Sequence, residues 1–150
     1  MIMGLFNSFN ISASALTAQR LRMDVISQNI ANVNTTRTED GTPYRRKTVV
    51  FQEKEADIPF SQYLSEQSRN RFLTGGGVRV TEITEDPTPF KEVYDPSHPD
   101  ADENGIVRMP NVEIVTEMVN MISATRAYEA NITALNASKS MASKALEIGR

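Results

Sequence analysis

Cysteine and tryptophan are absent from the 150 residues of this chain, and histidine occurs once, as His98. Without cysteine there is no disulfide framework, no thiolate nucleophile and no cysteine-ligated zinc. A lone histidine cannot build a multi-histidine metal site. No serine or carboxylate pattern marks His98 as a catalytic base, so a solvated loop histidine is the simpler reading. No run of about eighteen apolar residues occurs, so no transmembrane helix is expected. Basic residues are not in excess: the net charge is −3 and the isoelectric point is near 5.2, against a nucleic-acid binder driven by counterion release. Apolar residues make up only 39% of the chain, which allows a thin core. The opening stretch, Met1 to Asn10, lacks the basic region of a secretory signal, and Asn7, Ser8 and Asn10 cut its apolar run short. That favours the cytoplasm, or an export route without a cleaved signal.

Two long stretches free of glycine and proline stand at the ends of the chain. From Asn111 toward Arg150, steps of four and three pick out Ile114, Met118, Met121, Thr125, Tyr128, Ile132, Leu135, Lys139, Ala142 and Leu146. Only Thr125 and Lys139 break the apolar rule, so the spacing predicts a helix with a heptad seam. Pro110 before it and Gly149 after it punctuate such a helix. A second seam runs through Phe9, Leu16, Met23, Ile26, Ile30 and Val33, with Ser12 and Gln19 in the remaining positions, and predicts a helix from about Ser8 to Val33. A seam at each end most simply pairs with the other. The expected fold is mainly α with a small β-containing insert, the terminal helices pairing as an antiparallel coiled coil. Residues 1–36 and 111–150 form the helical core and 37–110 the insert. Leu16, Met23, Ile26, Ile30, Val33, Met118, Met121, Ile122, Tyr128, Ile132, Leu135 and Leu146 are expected to carry coiled-coil and subunit contacts. Ala124, Ala127, Ala130, Ala134 and Ala137 would let further helices approach closely.

The insert holds all seven prolines and ten basic against fourteen acidic residues, so the acidity sits in the middle. Arg45–Phe51 and Val78–Thr84 read as strands, Ile106–Met109 as a short third one, and Gly75–Gly77 as a flexible turn. Asp86–Gly105 reads as loop, with Asp-Pro, Thr-Pro, His-Pro and Asn-Gly pairs. The three glycines lack the spacing and lysine of a phosphate cradle. The basic run Arg45-Arg46-Lys47 reads as a solvated strand face or a salt-bridging contact with a neighbouring subunit. Thr35–Gly41 suits a hinge, and Asn29, Asn32 and Asn34 are placed either to end the first helix by side-chain bonding or simply to fray.

Asp100-Ala-Asp-Glu-Asn-Gly105 matches the first half of a calcium loop, with oxygen ligands at positions one, three and five and then glycine. The twelfth position falls on Asn111 rather than glutamate, and Pro99 stands where an entering helix should end. A calcium-dependent binding module at 100–105 is therefore the alternative reading, beside an exposed acidic turn. No residue pattern points to catalysis, a cofactor or a small-molecule substrate.

Two stretches carry a family resemblance. Ser27-Gln-Asn-Ile-Ala-Asn-Val-Asn-Thr-Thr36, followed by Tyr44-Arg-Arg46, resembles the N-terminal motif of the bacterial flagellar rod and hook proteins. Asn111-Val-Glu-Ile-Val-Thr-Glu-Met-Val-Asn-Met-Ile122, running on through Arg126-Ala-Tyr-Glu-Ala-Asn131, is similar to their C-terminal motif. The loop from Asp95 to Gly105 leading into Pro110 narrows the likeness to the short proximal-rod members. The resemblance implies a structural subunit that assembles helically through its terminal helices and helps transmit torque. It implies export through the flagellar type III apparatus without a cleaved signal, and a final place in the periplasmic rod of the basal body. The neighbours it implies are the other proximal-rod proteins, the distal-rod protein and the rod–ring junction protein, with the membrane-ring protein as a further candidate.

Overall fold

The computed structural model describes residues 2–54 and 76–148. The chain runs α1 (Ile2–Ala31), β1 (Lys47–Glu53), β2 (Val78–Glu85), β3 (Lys91–Tyr94), β4 (Ile106–Met109) and α2 (Ile114–Ile148). Two long helices thus flank two small two-stranded sheets, β1 with β2 and β3 with β4. Residues 55–75 of the insert, with Gly75 of the expected turn among them, lie outside the described residues. No helix among the described residues is long and apolar enough to cross a membrane.

Both helices begin and end for local reasons. The Glu113 carbonyl accepts the Glu117 amide at 3.0 Å, the first bond of α2, while its carboxylate accepts the Thr116 hydroxyl at 2.9 Å. That puts an acceptor and a negative charge where a helix start favours both. Just past the last residue of α1, the backbone amide of Asn32 (3.1 Å) and its side-chain Nδ2 (2.9 Å) both donate to the Gln28 carbonyl. The chain then turns through Thr35 N to Asn32 O at 3.1 Å. The expected hinge is bonded within itself: Thr38 donates its amide (2.9 Å) and its hydroxyl (2.8 Å) to the Thr42 carbonyl, and Tyr44 N donates to Thr35 O at 3.1 Å.

The chain divides into two compact units. The first holds residues 1–20, 51–81 and 126–150. Here Ala18 is buried, and Ser14 Oγ donates to the Ile11 carbonyl at 2.7 Å while accepting the Val78 amide at 3.1 Å. Gly77 lies beside them at φ +99°, and a Cβ there would run into Ser14 Oγ and the Ile11 backbone. Glycine is needed both for the backbone angle and for the room. The α2 residues half-buried in this unit include Tyr128, Asn131, Leu135, Ser138 and Ala142.

The second unit holds residues 21–50 and 82–125. Val25, Ile26, Val107 and Ala124 are its buried apolar side chains among the described residues. So short a set agrees with the thin core that the composition allows. β3 and β4 pair antiparallel with Lys91 opposite Met109, Glu92 opposite Arg108, Val93 opposite Val107 and Tyr94 opposite Ile106. β3 lies inside the stretch read as loop: its four residues are all exposed, so no alternation of burial betrays it. Gly105, at φ +73°, turns the chain back into β4, and a Cβ there would sit 3.1 Å from both Pro96 and the Tyr94 ring.

Candidate assembly interface

The second unit is organised around buried polar groups rather than apolar ones. Asn29 and Glu117 are each only 1% exposed. Every hydrogen-bonding position of the Asn29 amide is used. Its Oδ1 accepts Lys47 N at 3.0 Å and the Tyr44 hydroxyl at 3.0 Å. Its Nδ2 donates to Lys47 O at 2.8 Å and to Glu117 Oε2 at 2.9 Å. The paired bonds to Lys47 copy what a neighbouring strand would make, so a helix side chain acts as the edge partner of the chain entering β1. The expectation that Asn29 ends or frays the helix is corrected here: it faces inward and is fully bonded.

Arg46 completes the cluster. Its Nε and Nη2 donate to Glu117 Oε1 at 2.9 and 2.7 Å, and its Nη1 donates to Asp86 Oδ2 at 3.1 Å. Its backbone amide donates to Asn111 Oδ1 at 2.8 Å, while Asn111 Nδ2 donates to the Thr88 hydroxyl at 2.8 Å. The guanidinium pKa is raised; burial alone would lower it, but bonds and charge from Glu117 and Asp86 overcome that. Next in the run, the Arg45 guanidinium lies 4.5 Å from the Phe90 ring centroid. The basic run is therefore not a solvated face: Arg46 turns inward to meet two carboxylates of its own chain. Burying such a pair costs desolvation, and only full bonding of both groups offsets it.

The other side of α2 shows the reverse pattern. Glu117 and Ala124 are buried and Met121 half-buried, yet Ile114 is 45% exposed, Val115 67%, Met118 56%, Val119 61% and Ile122 55%. In this stretch the large apolar side chains point to solvent, while a carboxylate and a methyl group point inward. At spacings of one and three these five residues form one contiguous apolar stripe along the helix. Beside it lies a cavity of about 280 Å³ whose lining includes Val33, Val93, Met109 and Val115 together with Lys91 and Glu113.

The residues expected to make contacts are divided between these environments. Ile26 is buried, and Leu16, Met23, Ile30, Val33, Met121, Tyr128 and Leu135 are half-buried. Met118, Ile122, Ile132 and Leu146 are exposed. Thr125 Oγ1 approaches Met23 Sδ at 3.7 Å and Asn29 bonds Glu117, so these segments of α1 and α2 lie side by side and run in opposite senses. Sequence reasoning missed Asn29, Arg46, Asn111 and Glu117 as one cluster. Each falls inside a stretch that carried the family resemblance, and that was the available signal.

The calcium-like loop is engaged otherwise. Asp100 accepts the Thr36 hydroxyl at 2.7 Å and lies 4.0 Å from Arg37, and its amide donates to His98 Nδ1 at 3.1 Å. Asp102 N donates to Ile106 O and Gly105 N to Asp102 O, bonds that close the β3–β4 hairpin. No group of three acidic or histidine side chains placed to hold a metal occurs among the described residues.

The two ends of the chain match family models. Residues 9–37 match the model described as flagella basal body rod protein, and residues 103–148 match the C-terminal model of the flagellar basal body rod FlgEFG proteins. The chain is 52% identical over 149 residues to the flagellar basal-body rod protein FlgC of Bacillus subtilis, covering 97% of this chain and 98% of that one. It is 51% identical to FlgC of Borreliella burgdorferi, over 97% of this chain and 98% of that one, and 45% identical to FlgC of Salmonella typhimurium, over 99% and 100%. The chain belongs to the FlgC family of flagellar basal-body rod proteins. Asn29 falls within the first matched segment, and Asn111 and Glu117 within the second. The buried cluster is thus where the two family segments meet, with Tyr44 and Arg46 supplied from between them.

Proposed function

We propose that this chain is a structural subunit of the proximal rod of the bacterial flagellar basal body. It assembles helically with other rod proteins, and its role is architectural, with no catalysis. Membership of the FlgC family supports the rod assignment. The observation that carries the mode of assembly is the stripe Ile114, Val115, Met118, Val119 and Ile122, at 45–67% exposure on a helix whose opposite face is bonded to its own chain. Apolar area left open in a free subunit is covered when subunits meet, and a contact that does not close into a ring extends as a helix. Neighbouring proximal-rod, distal-rod and junction proteins are the partners proposed for this face and for the terminal helices. The subunit reaches the periplasmic rod through the flagellar export apparatus without a cleaved signal.

The test uses Met118→Asp and Ile122→Asp in a strain lacking its own copy. Both sites are exposed, so the free subunit should keep its stability within about 0.5 kcal/mol. Basal bodies should stop short and the cells should not swim. Normal swimming with either variant would remove the stripe from the interface.

A further inference from the structure

The geometry points to a register lock: the Glu117–Arg46–Asn29 cluster fixes the roll of α2 about its own axis, and so holds Met118 outward in the open assembly face. The inference rests on the assembly reading above and adds what keeps that face available.

Two seams are written into α2. The one turned inward contains Glu117, Met121, Ala124, Tyr128, Asn131, Leu135, Ser138 and Ala142, all buried or half-buried. The one with larger apolar side chains contains Met118, Met121, Thr125, Tyr128, Ile132, Leu135, Lys139 and Ala142. Both step by four and three, and every second position is common to both. The helix passes from one to the other by a roll of about 50°, half the angle between neighbouring residues. Apolar burial alone favours the second seam in this part of the helix, since it exchanges Glu117 for Met118. The observed helix has taken the first.

What opposes the roll is visible in the second unit. Turning Glu117 outward would take the acceptor from Asn29 Nδ2, which holds it at 2.9 Å in a site 1% exposed. It would also strip Arg46 of two bonds, at 2.9 and 2.7 Å. Buried polar groups left without partners are costly, and a single buried polar residue is known to set helix register at the expense of stability. The cluster therefore selects the roll that leaves Met118 uncovered.

The absence of cysteine makes a direct test possible, because one introduced thiol reports without background. Met118→Cys and Ala124→Cys are each placed in the full chain with the cluster intact, and again with Arg46→Met and Glu117→Met together. With the cluster intact, a maleimide should label position 118 readily and spare position 124, which is 56% exposed in the first case and 0% in the second. Without it, the rate at 118 should fall and the rate at 124 should rise, each roughly tenfold, with the helical circular-dichroism signal retained. Unchanged rates at both positions in a folded variant overturn the lock. Should the double variant unfold, Glu117→Leu alone is judged by the same two rates. Loss of fold in both also overturns it, since a lock on roll requires an alternative seam that holds. Swimming by cells carrying Met118→Asp would defeat the assembly reading while leaving the labelling result to decide the lock.

Discussion

Asn29 Nδ2 donates to Glu117 Oε2 at 2.9 Å across 88 positions of sequence. This bond joins the end of α1 to the start of α2 inside the second unit, and the same amide holds both backbone groups of Lys47 at 2.8 and 3.0 Å. Helix, helix and strand entry thus share one side chain. Such a site tolerates a change of chemistry less well than a change of size.

Asn29→Asp tests that ordering. The change is isosteric, but it replaces the donor that faces Glu117 and Lys47 O with an acceptor and adds a buried negative charge. It should cost about 3–5 kcal/mol in urea unfolding, as for a buried charge left uncompensated. Asn29→Ala, which only deletes the bonds, should cost about 1–3 kcal/mol. Lower pH should return part of the loss in the Asp variant, because a protonated carboxyl can donate again. An Asp variant more stable than the Ala variant at neutral pH would contradict the bonding described.

Asp86 gives the acid limb of stability. Its carboxyl is held below its ordinary value of 3.8, first by the Thr88 amide and hydroxyl and then by Arg46, against a burial effect of opposite sign. A depressed carboxyl contributes stability that is fully present above the unfolded value and is lost as pH falls through the folded one. The window therefore lies below 3.8. Asp86→Asn should be less stable than the native chain at neutral pH, and the gap should close as the pH drops through that window. Parallel thermal melts across acid buffers provide the measurement; a gap constant down to full acid denaturation would contradict it.

How far the sequence discloses this arrangement depends on the kind of group. Both helices are legible from spacing, and the short strand expected around Ile106–Met109 is β4. The α2 seam is legible at Met121, Tyr128, Leu135 and Ala142 and displaced by one residue between them. Hydrophobic spacing ranks Met118 above Glu117, and nothing local to Glu117 says that Arg46 waits 71 positions away to neutralise it. β3 is hidden for a different reason, since all four of its side chains face solvent and its identity lies in its pairing. A polar core held by long-range partners is written in the sequence only as motif, not as pattern.

Tyr44 sets the alkaline limb. Burial first, then the nearby charges of Glu117 and Glu85, pushes its phenol above 10.0. The unfolded chain then ionises before the folded one. Stability is fully present below 10.0 and declines as pH rises from there through the folded value. Tyr44→Phe should lose about 0.5–1.5 kcal/mol at neutral pH with the bond to Asn29, and should show a shallower alkaline decline than the native chain. Melting temperatures over the alkaline range decide this; equal slopes would remove Tyr44 as the titrating group.

The first unit offers a test of geometry without charge. Gly77 stands at φ +99°, where L side chains are strained, and its α-carbon faces Ser14 Oγ and the Ile11 backbone. Ser14 cannot simply swing away, because its hydroxyl donates to Ile11 O at 2.7 Å and accepts Val78 N at 3.1 Å. Gly77→Ala should therefore cost about 1–3 kcal/mol from backbone strain, with the displaced Ser14 bonds in addition. The two contributions separate in the variant carrying Gly77→Ala with Ser14→Gly, which clears the obstruction but keeps the backbone strain. That variant should differ from Ser14→Gly alone by less than Gly77→Ala differs from the native chain. Equal differences in chemical unfolding would assign the whole loss to the backbone angle and none to the close approach of α1.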